Sequence, residues 1–146
     1  MKKIGLVSCY FKHNYGSQLQ AFALQEFLIS KGFSVENIDI SKLEDFSAGK
    51  KKYYKSKIFD FRFILSKIGM INLTLRKKII NSKNFKIREN KFNEFQHNFV
   101  LSKKYSSYNE LTKNCSEKYT DVIVGSDQLW LPVNVVADFY TLNWVP

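Results

Sequence analysis

The period of the hydrophobic positions changes along the chain, and those changes divide it into elements. Residues 3–9 are mostly apolar, with Ile4, Leu6, Val7 and Cys9 in a short run, as in a strand covered on both faces. After the polar loop Lys12-His13-Asn14-Tyr15-Gly16, residues 17–30 carry Leu19, Phe22, Ala23, Leu24, Phe27 and Leu28 at helical spacing, which predicts a helix with a wide apolar stripe. Gly32 follows Lys31 where a helix closes through a left-handed residue. Phe33, Val35, Ile38 and Ile40 predict a second strand over 33–40. The next convincing strand covers 119–124 and ends at Gly125. A helix over 107–118 precedes it, with Ser107 placed as N-cap and Glu110 three residues on.

A strand–loop–helix–turn–strand opening with short connections predicts an α/β fold built on a Rossmann-like parallel sheet. Between Ile40 and Tyr119 lie 78 residues, far more than a crossover requires, so this excess is expected to hold structure of its own. Ile58, Phe61, Ile64, Leu65 and Ile68 fit one helix there. Phe85, Phe92, Phe95 and Phe99 fit the stripe of another, with a basic opposite face. The organisation read from the sequence is one Rossmann-like domain over 1–146 with a basic, mainly helical insertion over 42–104. Residues 138–146 are aromatic and apolar where a finished domain usually frays into polar residues, and this predicts the N-terminal part of a longer protein.

Composition excludes several classes. Of 146 residues, 45% are hydrophobic and 25% charged, a globular balance, and no apolar run reaches the length of a membrane span. Cys9 and Cys115 lack partners at metal-ligand spacing, so two free thiols in a reducing cytosol are expected. Lys2 and Lys3 ahead of an apolar stretch imitate a signal segment, but the stretch is too short and reads as a buried strand.

The net charge of +10 is concentrated: residues 42–104 hold 17 Lys and Arg against 5 Asp and Glu. A solvated lysine-rich surface is the plainest reading. Attraction to an anionic membrane surface, or to a polyphosphate-linked substrate, is a second. Nucleic-acid binding is a third; its electrostatics suffice, but no recognised motif accompanies them.

Two loops meet the geometric condition for a ligand site, the carboxyl end of a parallel strand. In the first, His13-Asn14-Tyr15-Gly16-Ser17-Gln18, Gly16 permits a tight turn, and free N–H groups at the helix start suit an anion or sugar hydroxyls. Asn14 or Ser17 acting simply as a helix cap is the structural alternative. His13 is a candidate for proton transfer, with a plain surface role as its alternative, and His97 on the basic helix is a weaker one.

The second loop, Gly125-Ser126-Asp127-Gln128-Leu129-Trp130, combines a hydroxyl, a carboxylate, an amide and an indole, the composition of a carbohydrate site. Asp127 can act there as a base or orient a hydroxyl. Alternatively it caps the following turn while Trp130 packs in the core. No dinucleotide or P-loop fingerprint occurs, which leaves Asp39 at the end of the second strand without the glycines a ribose-binding acid accompanies. No metal-ligand cluster is evident, and no resident cofactor is expected.

With both loops in view, the chain resembles the N-terminal part of the polysaccharide pyruvyl transferase family. Three stretches carry the resemblance: Ile4-Gly5-Leu6-Val7-Ser8-Cys9-Tyr10-Phe11 running into Asn14-Tyr15-Gly16-Ser17-Gln18-Leu19-Gln20-Ala21, then Asp121-Val122-Ile123-Val124-Gly125-Ser126-Asp127-Gln128-Leu129-Trp130, then Tyr140-Thr141-Leu142-Asn143-Trp144. The basic middle takes no part.

The resemblance implies a bacterial-type, cytoplasmic transferase of polysaccharide biosynthesis, working in places at the inner face of the membrane. Such an enzyme moves a pyruvyl group from phosphoenolpyruvate to a sugar of a glycan or lipid-linked precursor. It also implies the N-terminal half of a two-domain, glycosyltransferase-B-like molecule, with the donor-binding residues in the other half. Carried over by motif are Asn14, Gly16 and Gly125, with Ser17, Gln18, Ser126, Gln128 and Trp130 as neighbouring substrate contacts and Asp127 and His13 as candidate catalytic groups. Where many members have an acidic residue after the first-loop glycine, this chain has Ser17-Gln18. The alternative from another class is a non-catalytic basic module for an anionic membrane surface or nucleic acid.

Overall fold

The computed structural model describes residues 2–80, 82–125 and 128–146; the side chains of residues 76–80, 82 and 128 lie outside that description. Four strands form one all-parallel sheet: β1 (Lys3–Val7), β2 (Ser34–Asp39), β3 (Leu101–Lys104) and β4 (Asp121–Val124), in the spatial order β3-β2-β1-β4. Among the described residues the helices are α1 (Tyr15–Ser30), α2 (Glu44–Ser56), α3 (Phe61–Ile80), α4 (Ser82–Gln96), α5 (Tyr108–Lys118) and the short α6 (Pro132–Val136). The fold is α/β with a Rossmann-like sheet.

Alternation along β1 and β2 divides the core between two faces. Ile4 and Leu6 pack with Val35 and with Leu24 and Leu28 of α1. Val7 and Ile38 point the other way, into the larger cluster with Leu43, Phe46, Tyr105, Leu111, Cys115 and Phe139. Gly5 sits on this second face because a Cβ there would meet the Tyr119 ring at 3.1 Å and Ile38 at 3.2 Å. Both helix ends read from the sequence are present. Gly32 follows the last turn of α1 at φ +83°, and the Ser107 side chain caps α5 by accepting from the Glu110 N–H. Glu110 completes a variant of the capping box, reaching back to the N–H and hydroxyl of Ser106 rather than to the cap residue.

Three expectations change. First, the buried face of α1 is not its apolar stripe. Ser17, Gln18, Ala21, Gln25 and Leu28 are buried, while Leu19 and Phe27 are more than half exposed. The reason is a buried polar chain in the layer between sheet and helix. The Ser8 hydroxyl donates to Asn37 Oδ1 (2.8 Å) and Asn37 Nδ2 donates to Gln25 Oε1 (2.8 Å). Gln25 also accepts from the Val100 N–H and donates to the Asn98 carbonyl. Asn37, fully buried on β2, requires such partners, and only a polar helix face supplies them.

Second, the 42–104 segment ends in a strand. β3 joins the sheet edge beside β2, with Ser102 accepting from the Asp39 N–H. Within the same segment, α2 packs against α6 so closely that Gly49 has no room for a side chain. Third, the aromatic end of the chain is core. Phe139, Tyr140 and Trp144 are buried, Phe139 and Trp144 stack at 5.8 Å, and Phe46 of α2 meets Phe139 and Tyr140 edge-on. Asp138 takes a left-handed φ of 63° there, held by its carboxylate accepting from Thr141 and Asn143.

Candidate functional site

The sheet order places a topological switch point between β1 and β4. The chain leaves β1 toward β2 on one side, and β4 pairs on the other, which is the position at which open parallel sheets place a ligand at their strands' carboxyl ends. The two loops singled out in the sequence are those that border it. They touch at their roots: the Gly125 N–H donates to the Val7 carbonyl (2.8 Å), and a Cβ on Gly125 would come within 3.8 Å of Ser8.

On the β1 side, Asn14 is the N-cap of α1, its Oδ1 accepting from the Ser17 N–H (3.2 Å). Asn14 and Gly16 are exposed, whereas Ser17 and Gln18 are buried. Gln18 is 1% exposed and its Nε2 has no hydrogen-bond partner among the described residues, which is costly for a buried amide unless something completes it. It faces a groove of about 230 Å³ lined by Tyr15, Leu19, Lys91, Phe92 and Phe95, so α4 supplies the groove's other wall.

His13 lines a separate, smaller cavity with Phe85, Arg88, Glu89 and Phe92. Its ring stacks on Phe92 (5.5 Å between centroids), its Nε2 lies 3.0 Å from Asn93 Oδ1, and its Nδ1 lies 3.9 Å from Glu89. The Phe92 stack and the Asn93 contact hold it against α4. His97 lies just beyond α4, and its N–H donates to the Glu94 carbonyl.

On the β4 side, Gly125 is buried and Trp130, at the end of a short 3₁₀ turn (Gln128–Trp130), is 70% exposed while neighbouring Leu129 fills the core. The alternative in which Trp130 packs inside is therefore excluded, and the indole is open to solvent. Ser126 and Asp127 lie outside the described residues, as does the side chain of Gln128. Asp39 accepts from the Ser41 N–H (2.8 Å), which closes the turn after β2.

Sequence reasoning missed Lys50. It projects from α2 over the Phe46 ring (4.0 Å), and burial, then the nearby charge of Lys12, lower its pKa from the ordinary lysine value while Cys9 acts in the opposite sense. That half-buried position was not readable in the sequence, where Lys50 is one of three consecutive lysines. Two buried tyrosines stay neutral: burial, then the charge of Asp39, raises the Tyr10 hydroxyl, and burial, then Cys9, raises that of Tyr140. Among the described residues no cluster of three or more His, Cys, Asp or Glu is placed to hold a metal ion.

No protein-family model, characterised protein or solved structure matches the chain. The site is therefore read from its own geometry.

Proposed function

We propose that this chain forms the acceptor wall of a pyruvyl transferase-like enzyme acting on glycans. The observation that supports the reading is that the roots of the two loops meet at the switch point, where the Gly125 N–H bonds to Val7, while Trp130 in the second loop is exposed. Apolar ring faces and neutral polar groups suit a sugar.

In this proposal a second α/β half, facing the crevice as in two-domain glycosyltransferases, binds phosphoenolpyruvate. A sugar hydroxyl adds to the central carbon of the enolpyruvyl group, the methylene carbon takes up a proton, and phosphate leaves. A second hydroxyl then closes the ketal. Asp127 or His13 would accept a hydroxyl proton. His13 is held by the Phe92 stack and Asn93 of α4 rather than by its own loop.

Phosphate release from phosphoenolpyruvate, followed alongside mass spectrometry of the sugar, tests the reading. Residues 1–146 alone are expected to bind acceptor and to transfer nothing. Pyruvyl transfer by them alone would overturn the division of labour. Unchanged turnover after replacing both Asp127 and His13 in an active protein that includes a second half would remove both from the mechanism.

A further inference from the structure

Helix α3 presents an apolar face to solvent. Phe61, Leu65, Ile68, Ile71 and Leu75 follow helical spacing, and each is at least half exposed. Phe59, just ahead of the helix, is 97% exposed. Phe59 and Phe61 together expose on the order of 300 Å² of ring surface, already the size of the largest apolar patch on an ordinary monomer. Over its first two turns the other side of the helix is anchored; beyond them Met70 and Leu73, off that stripe, are also more than half exposed. The Phe63 ring meets Tyr53 and Tyr54 of α2 at 6.1 Å, and Lys67 lies over Phe63 and Tyr54. The stripe therefore points away from the domain.

Charge selects the occupant. From residue 61 to residue 88 the chain has eight Lys and Arg and no Asp or Glu. A second copy of the same surface would set those charges against each other. Nucleic acid is held by cations with stacking rings, whereas Leu65, Ile68, Ile71 and Leu75 are aliphatic. A bilayer rich in anionic lipid satisfies both features: acyl chains take the apolar stripe and headgroups take the lysines. The helix is about 30 Å long, yet no helix among the described residues is long and apolar enough to cross a membrane, so it would lie in the interface plane.

We propose that α3 docks the protein on an anionic membrane surface, its Phe61–Leu65–Ile68–Ile71–Leu75 stripe immersed at the headgroup boundary. This inference is independent of the acceptor-wall reading. On that reading, docking would hold the crevice where lipid-linked sugars are presented.

Co-sedimentation with vesicles of phosphatidylcholine containing phosphatidylserine, against phosphatidylcholine alone, tests it. The chain is expected to bind the anionic vesicles, and binding should fall sharply in high salt. The triple variant Leu65→Gln/Ile68→Gln/Ile71→Gln should lose about a hundredfold in partition coefficient. Lys83→Gln/Lys86→Gln should lose about fivefold per lysine. These side chains are exposed, and circular dichroism would establish that the fold persists. A Leu65→Trp variant should show a blue-shifted emission quenched by brominated acyl chains. Absence of binding to anionic vesicles, equal binding to both compositions, or undiminished binding of the triple variant would overturn the proposal. So would a lipid-free dimer or an RNA complex that the triple variant abolishes while vesicle binding is absent. Sugar binding at Trp130 is measured separately, so failure of one proposal is distinguishable from failure of the other.

Discussion

Two helical glycines should respond to alanine with opposite signs. At Gly49 in α2, an added Cβ would stand 2.7 Å from the Ala137 Cα and 3.1 Å from the Val136 carbonyl oxygen. Both are backbone atoms, so no side-chain rotation relieves the clash; α2 must move from α6 by the better part of an ångström. Neither is free to move: Phe46 fixes α2 in the core, and the Tyr108 hydroxyl donates to the Ala137 carbonyl.

Overpacking of this kind costs about 3 kcal/mol at the upper end of its usual range, and the helix propensity gained by alanine returns about 1 kcal/mol. A net loss of about 2 kcal/mol corresponds to a fall in Tm of roughly 4–8 °C for a chain of this size. At Gly69 in α3, by contrast, nothing lies within 4 Å of the added carbon. Gly69→Ala should therefore gain up to about 1 kcal/mol of local helix stability, seen as slower amide exchange within α3 and no fall in Tm. Thermal melts and urea titrations of the two variants beside the parent decide the matter. A Gly49→Ala protein as stable as the parent, or two variants shifting alike, would refute the close α2–α6 packing.

Asn37→Leu should cost about 2–4 kcal/mol by urea denaturation, because it strips partners from the Ser8 hydroxyl and weakens the satisfaction of Gln25; a loss below about 0.5 kcal/mol, the range of an ordinary surface change, would mean the polar chain is dispensable. Trp130→Ala should leave Tm almost unchanged, since the ring is exposed, while weakening sugar binding measured by calorimetry; a large loss of stability would place the indole in the core. Glu36 provides a pH test. Partial burial tends to raise its pKa, but hydrogen bonds from Lys118, Lys3 and Tyr119 outweigh this and hold the carboxyl below the usual range. The stability it contributes is therefore complete above the unfolded value of about 4.3 and is lost as pH falls through the lower folded value. The difference in unfolding free energy between parent and Glu36→Gln should shrink across that interval and stay flat from pH 5 to 7; a difference that instead grows on acidification would reverse the assignment.

How much of this was legible in the sequence depends on what each signal measures. β1 and β2, the Gly32 stop and the Ser107 cap follow from short-range rules, and the structure has them within a few residues. β3 was invisible because a four-residue edge strand of sequence Leu101-Ser102-Lys103-Lys104 turns only Ser102 inward. Its lysines guard an exposed edge and read as the tail of a basic helix. The face of α1 was misjudged for a related reason. Hydrophobicity predicts what leaves water, yet Gln25 is buried because Asn37, Asn98 and Val100 supply and need its polar atoms, a requirement set by residues outside the helix. The aromatic run after Asp138 reads as the sign of a longer protein; that Phe139, Tyr140 and Trp144 join the core of this sheet layer is set by α2 and α5, which composition alone does not show. At the site, the two loops were found from the rule that parallel strands bind ligands at their carboxyl ends. The half-buried place of Lys50 over Phe46, and the tethering of His13 to α4, needed the fold.

The central claim is that the loops after β1 and β4 form one ligand-binding wall. It is tested most directly by recording amide and indole shifts of the protein by NMR while titrating a panel of hexoses and N-acetylhexosamines, free and phosphate-linked. The account predicts that at least one sugar moves the Gly16, Gln18, Gly125 and Trp130 signals together, with a single affinity. Perturbations confined to the opposite strand ends, around Lys3 and Thr120, or the two loops responding to different ligands, would contradict it.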